Sequence, residues 1–196
     1  YRQPQQKQAQ GAIDGTMQFD RIPLSELNPF FGGAVDMQGV LRGRLTLESR
    51  DRGPIWNGYL QLDSTSMYVR AVGTRFRFDD QEVDIKDSKL RLTKYGIYTT
   101  GGNPFTISGT VDLSKPMKET ADLRLAAQDM LLIDAPDGAP GAMLYGRLPI
   151  DLNLTARGPL RALKVRGCVH VRSGTNVTYV IPDANDELQD NFAGLV

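Results

Sequence analysis

The chain has few of the residues that usually build catalytic and metal-binding sites. Its 196 residues include one cysteine, Cys168, one histidine, His170, and one tryptophan, Trp56. A single cysteine excludes a disulfide within the chain, and a single histidine excludes a metal site of the usual multi-histidine kind. The sequence also lacks a phosphate-binding glycine loop and a Gly-x-Ser-x-Gly nucleophile motif. We therefore expect a protein that is not an enzyme and that uses neither a cofactor nor a metal.

Charge and hydropathy exclude two further classes. Lys+Arg and Asp+Glu both total 23, so the formal net charge is zero, which argues against a nucleic-acid-binding surface built on bulk charge. No apolar run approaches the roughly 20 residues that a helix needs to cross a bilayer, and no signal peptide is visible. Because the chain starts at Tyr1 without a methionine, we expect it to be a piece of a longer protein.

The sequence is rich in short segments in which apolar residues alternate with polar ones. A glycine or proline, which we interpret as a turn, is followed by an apolar residue at every second position; clear examples are 39–48, 58–63, 109–113, 146–154 and 167–171. This period gives a strand one apolar face and one polar face. The pattern therefore predicts an all-β fold.

One short helix is predicted, from Ile22 to Pro29, with Pro29 as its end. Leu24 and Leu27 would face the same way and could plug the open end of a sheet. The sequence thus predicts almost no helix with which to cover the apolar faces of the strands.

Composition along the chain predicts three regions. Residues 1–11 form a polar, glutamine-rich leader or linker, residues 12–182 form the β-domain, and residues 183–196 form an acidic, flexible tail. Within the domain we predict a strand over 121–127, and a short strand around Met67 and Val69 that is separate from the preceding one.

The alternating apolar residues could line a closed core or an open groove. From alternation alone a closed β-sandwich or barrel is the favoured outcome, because a sheet without covering helices must fold onto itself. Cys168 is interpreted as a small packing residue, and His170 as lying on the polar face of its strand. The residues predicted to line the apolar interior are Leu41, Leu45, Leu47, Leu60, Leu62, Phe76, Phe78, Phe105, Ile107, Leu123, Leu125, Leu148, Ile150, Leu152, Val165 and Val169.

Six motifs follow one another along most of residues 12–182. They are Pro23-Leu24-Ser25-Glu26-Leu27-Asn28-Pro29-Phe30, Gly39-x-x-x-Gly43-x-Leu45-x-Leu47, Pro54-x-x-x-Gly58-x-Leu60-x-Leu62, Gly73-Thr74-Arg75-Phe76, Phe105-Thr106-Ile107-Ser108-Gly109-Thr110-Val111 and Gly158-Pro159 followed by Gly167-Cys168-Val169. Their order resembles the C-terminal conserved-domain region of the TamB family, the inner-membrane component of the translocation and assembly module in the wider AsmA-like group.

The resemblance implies a curled, taco-like sheet with an apolar concave groove, and it reverses the preference for a closed core. It also implies a periplasmic segment of an envelope-spanning protein whose parent is anchored in the inner membrane. The implied function is phospholipid transport to the outer membrane and assembly of proteins there. The implied partners are phospholipid acyl chains and an outer-membrane barrel protein of the assembly family. The alternative is a protein-interaction module that binds barrel or client strands through open sheet edges.

Overall fold

The computed structural model describes residues 14–50, 53–101, 103–139 and 141–180. The predicted leader and the predicted acidic tail both lie outside these ranges. The described residues form a curled, antiparallel, 11-stranded sheet. Its strands are β1 Gly15–Pro23, β2 Val35–Arg50, β3 Gly53–Val69, β4 Thr74–Phe78, β5 Val83–Lys86, β6 Lys89–Tyr98, β7 Phe105–Asp112, β8 Thr120–Ala135, β9 Leu144–Pro159, β10 Lys164–Val171 and β11 Asn176–Tyr179.

The strands follow one another across the sheet in chain order, as a meander. The hydrogen-bonded path is β1-β2-β3-β4-β6-β7-β8-β9-β10. Two positions on this path hold two strands end to end, because β4 and β5 both pair with β3, and β10 and β11 both pair with β9. Three short 3-10 helices, Leu24–Phe31, Arg70–Val72 and Leu160–Ala162, connect strands.

Some glycines lie inside strands where the neighbouring strand approaches closely, so our interpretation of glycine as a turn marker is wrong at these positions. Gly58 lies inside β3 with φ +140°, and Gly109 lies inside β7 with φ +136°. A Cβ atom would stand 1.9 Å from the carbonyl oxygen of Arg44 at Gly58, and 2.1 Å from that of Asp122 at Gly109. Only glycine allows this backbone conformation together with such a close approach of the neighbouring strand.

Three bulges change the phase of the alternation, and each contains a non-glycine residue with a positive φ. Ser64 in β3 has φ 50°, Lys94 in β6 has φ 50° and Asp129 in β8 has φ 53°. The pairing register shifts at each of these points. A bulge adds a residue to one strand and increases the local twist and bend. The bulges therefore keep the apolar face continuous while the sheet curls.

Two of the predicted strand boundaries are corrected by these bulges. Met67 and Val69 do not form a separate strand but continue β3 beyond Ser64. The strand predicted over 121–127 continues through Asp129 to Ala135. In both cases the extra residue breaks the strict period of two, which makes one long strand look like two short segments.

The predicted helix is present as the 3-10 helix Leu24–Phe31, but Pro29 lies inside it and does not end it. The end comes at Gly32, which adopts a left-handed conformation with φ 55°. Leu24 is buried, with 6% of its surface exposed, whereas Leu27 stays 42% exposed, so the prediction that both plug the sheet is wrong for Leu27. The Asn28 amide makes the contact to β2 instead, because its Oδ1 accepts the Met37 N–H at 2.7 Å.

A hairpin arm folds over part of the concave side. We define the arm as residues 127–135 of β8 and 144–152 of β9. Along this length, β8 extends past the start of β7 and pairs, among the described residues, with β9. The arm reaches β4 and the helix before it, where the Asp134 N–H donates to the Thr74 Oγ1 at 3.2 Å and the Met143 N–H donates to the Ala71 carbonyl at 3.2 Å. Half of the ten buried hydrophobic residues lie here, namely Met130, Leu131, Ile133, Ala135 and Ile150.

Candidate functional site

The apolar residues of neighbouring strands meet on one face of the sheet. Direct partners in an antiparallel pair point to the same side. The partners include Leu41 with Leu62, Leu60 with Val83, and Leu152 with Val169. All sixteen residues predicted to line the interior lie on this face, which we call the concave face.

The opposite face, which we call the convex face, carries the charged residues. Arg42 forms an ion pair with Asp63 at 2.8 Å, and Arg157 forms one with Asp122 at 2.7 Å. These pairs are partly exposed and add little to stability. They do show that each strand separates its charges from its apolar side chains, so the concave face is left almost without charge.

The concave face is buried to different degrees along the sheet. Ile150, in the arm, is only 3% exposed, whereas Val165 and Val169 on β10 are 56% and 54% exposed. The other predicted lining residues are half-buried. A closed core would bury them nearly completely, so away from the arm these predicted lining residues are packed side by side but still reachable. Some of their neighbours on the same face are buried, such as Ile85 on β5, which is 4% exposed.

Several further residues belong to the concave face but were not among those predicted to line it. The register adds a polar exception, Tyr95, and a group of apolar side chains: Met17, Phe19, Ile22, Val83, Ile85, Leu90, Leu92, Ile97, Val111, Met130, Ile133, Val171 and Val177. For many of them, the alternation of apolar and polar residues already indicates a position on the apolar face of a strand. Met130 and Ile133 follow a bulge, so the period of two alone gives no signal for them.

Tyr95 places a phenol on the concave face but no charge. Its side chain is buried, and its O–H donates to the Asp79 carbonyl at 2.7 Å. Burial, followed by the nearby carboxylates of Asp79 and Asp80, raises the pKa of Tyr95 to about 12. The phenol therefore stays neutral at physiological pH, which suits a surface that contacts apolar groups.

Cys168 is exposed, so its interpretation as a packing residue is wrong. It pairs with Asn153 on the convex face, one position out of phase with the valines of β10. His170 is also exposed and pairs with Asp151, as predicted for the polar face. These side chains border a shallow convex-face depression of about 420 Å³. Within the described ranges, no three His, Cys, Asp or Glu side chains come close enough together to hold a metal ion.

None of the helices in the described part of the chain has the length and apolarity needed to cross a bilayer.

Comparison with known proteins gives one family match. Residues 93–192 match the family described as TamB, the TamB C-terminal domain. This range takes in β7 to β11 together with most of β6, and therefore the whole arm. No curated protein and no solved structure matches the chain.

Proposed function

The chain belongs to the TamB family, and from this premise we propose that its concave face is an apolar groove for phospholipid acyl chains on their way to the outer membrane. Members of the family are envelope-spanning proteins with a periplasmic part, and they act with the outer-membrane assembly machinery in outer-membrane biogenesis. In this proposal the chain is the periplasmic segment, its parent is anchored in the inner membrane, and the groove also serves the assembly of outer-membrane proteins.

The observation that supports this proposal is the partial exposure of the concave face. Its side chains form one apolar surface across the sheet, yet most of them are half-buried. An acyl chain gains about 0.8 kcal/mol for each CH₂ group that it buries, and it needs no hydrogen-bonding partner. A continuous, accessible apolar surface without charge is therefore sufficient to hold it.

We also propose that the role is not enzymatic. Acyl-chain binding needs no nucleophile, general base or metal. The polar groups on the concave face that could take part in such chemistry are few, and Tyr95 is held neutral with its O–H bound to a backbone carbonyl.

Native mass spectrometry with lipid extraction tests the groove directly. We expect phospholipid to co-purify with the full 196-residue chain. A folded chain that carries no lipid, and that takes up none from phospholipid vesicles, would contradict the proposal.

A substitution pair makes the test specific to the concave face. Leu125 is half-buried on that face and packs beside Ile107 and Leu154. Leu125→Arg introduces a charge there, and we expect loss of lipid capture from a folded protein. Asn153→Arg adds the same charge on the exposed convex side of β9, so we expect it to retain lipid. Equal lipid capture by both variants would argue against the groove.

A second candidate function is strand pairing with a protein partner, for which we propose an outer-membrane barrel protein or its client. Among the described residues, β1 pairs with β2 alone, and β10 and β11 pair with β9 alone. The outer edges of these strands are therefore open to a further strand from a partner, which is the usual geometry of strand addition.

The outward-pointing N–H groups of β11 allow a sharp test of this second function. The Val180 N–H donates inward to the Met143 carbonyl at 2.8 Å. Because N–H groups alternate in direction along a strand, that of Tyr179 points away from β9. Tyr179→Pro removes this outward donor, and we expect lost partner binding with unchanged lipid capture. Thr178→Pro removes an inward donor and serves as the control for damage to β11 itself.

A further inference from the structure

The arm leaves the sheet at Asp129, where the backbone takes a conformation that is costly for a residue other than glycine. Asp129 has φ 53°, and the β8–β9 register shifts between Ala127 and Met130. A second shift follows between Leu131 and Ile133. These two irregularities bend the hairpin so that its end meets β4. The hinge at Asp129 therefore needs something to hold it in place.

Asp151 holds this hinge from the neighbouring strand. Its Oδ1 accepts the Asp129 N–H at 2.7 Å, which satisfies the donor that the bulge takes out of the ladder. The Arg172 Nη1 donates to Oδ1 at 3.0 Å and to Oδ2 at 2.9 Å of the same carboxylate. The Arg172 Nε lies 3.3 Å from the Asp129 Oδ1. One guanidinium thus joins both carboxylates.

The backbone fixes Arg172 as well, since its N–H donates to the Pro149 carbonyl at 3.0 Å. The clip formed by Asp129, Asp151 and Arg172 therefore connects β8, β9 and the segment that follows β10. His170 pairs with Asp151 on the same face and adds a second basic side chain beside the carboxylate.

The other two positive-φ bulges are capped in the same way. The Asp80 Oδ1 accepts the Ser64 N–H at 2.9 Å, and the Ser108 Oγ accepts the Lys94 N–H at 3.0 Å. Side-chain capping of the bulges is thus a repeated device in this sheet. At Asp129 the cap is also bound to an arginine, and this bulge lies at the root of the arm.

We propose that Asp151 is a positioning residue that holds the β8–β9 arm across the concave face and so sets the width of the groove. This inference rests on the proposed function. With the clip intact, the end of the arm stays against β4 and the short helix before it, where Met130, Ile133 and Ile150 are buried, and acyl chains have access to the strands that the arm does not reach. With the clip broken, the arm moves away from β4 and the covered face opens.

Distance measurement between two spin labels tests the position of the arm without reference to lipid. Ser25 and Asp137 are exposed, the first in the helix that packs on β2 and the second in the loop of the arm. Both are replaced by cysteine and labelled in a Cys168→Ser background of the full chain. We expect one narrow distance distribution, which Asp151→Ala broadens and lengthens by roughly one strand spacing, about 5 Å.

Matched variants separate positioning from general damage. Asp151→Asn keeps a side-chain oxygen that can accept the Asp129 N–H. We therefore expect a label-to-label distance distribution close to that of the labelled chain with Asp151 in place. Asp122→Ala removes a carboxylate that pairs with Arg157 on the same face but caps no bulge, and we expect no change. An unaltered distribution in folded Asp151→Ala overturns the inference. If that variant does not fold, Arg172→Ala decides, because it must broaden the distribution for the inference to stand.

Lipid capture gives the second measurement. We expect Asp151→Ala to change the amount or acyl length of co-purified phospholipid, and Asp122→Ala to leave both unchanged. If the unmodified chain captures no lipid at all, the proposed function fails, whereas the label distances still decide whether Asp151 positions the arm.

Discussion

The arm region and the edge strands follow the same alternating pattern, but their apolar side chains have different surroundings. Ile150 and Ile133 in the arm are 3% exposed, whereas Val165 and Val169 on β10 are more than half exposed. Both sets lie on the concave face of one sheet. The difference is that the arm folds back onto β4, while within the described residues nothing covers β10. Alternation therefore determines which face a side chain is on, whereas tertiary contacts such as those between the arm and β4 determine how far that side chain is buried.

The largest expected effect comes from a charge placed in the covered region. Ile150→Arg puts an unpaired guanidinium among Met130 and Val171. A buried charge left without a partner costs about 3–5 kcal/mol, which is a large part of the stability of a domain. We expect the variant to unfold or to populate the native state poorly, as measured by chemical denaturation. A native-like unfolding midpoint would mean that the arm is open in solution.

A smaller effect is expected when apolar groups are only removed. Ile133→Ala deletes a fully packed side chain in the arm and should lower the free energy of unfolding by about 2–5 kcal/mol. Val169→Ala removes a side chain that is 54% exposed, and as a surface change it should stay within about 0.5 kcal/mol. Urea denaturation of both variants measures the difference. Equal losses would remove the distinction between covered and open regions.

Tyr95 on β6 gives the stability of the sheet a pH dependence at the alkaline end. Because its folded-state pKa is raised to about 12, above the usual value of about 10, folding favours the neutral phenol. The contribution of the neutral phenol to the free energy of unfolding is fully present below about pH 10 and is lost as the pH rises through about 12. We expect Tyr95→Phe to lose less stability than the unmodified chain over this interval, as followed by denaturation at a series of pH values. Parallel losses in the two proteins would show that another group is responsible.

A modest effect is expected at the contact that closes the arm. Thr74→Val removes the hydroxyl that accepts the Asp134 N–H and keeps the shape of the side chain. A hydrogen bond of this kind contributes about 0.5–1.5 kcal/mol. We expect the free energy of unfolding to fall by an amount within this range. We also expect faster amide exchange at Asp134, which residue-resolved hydrogen exchange measures. Unchanged exchange at Asp134 would indicate that the rest of the arm, and not this contact, keeps it closed.

The sequence predicted the fold class correctly, and its alternation placed the predicted lining residues on one face, whereas their role in lining a groove stays a prediction. The strands β2, β7 and β9 follow their alternation, and all sixteen predicted lining residues lie on one face. The errors share a physical cause. Mid-strand glycines such as Gly58 resemble turn signals in sequence, and the bulges at Ser64 and Asp129 break the period of two. Cys168 was misassigned although the valines beside it already place it on the convex face.

By itself the sequence determined which side chains share a face, because the period of two in an extended strand is a local property of the backbone. It also determined the absence of any apolar run long enough for a membrane helix. Only the tertiary structure decided which part of the apolar face is covered. That outcome depends on bulges whose caps come from other strands, as Asp151 caps Asp129 from 22 residues away. Such contacts depend on strand register, which no local pattern in the sequence specifies.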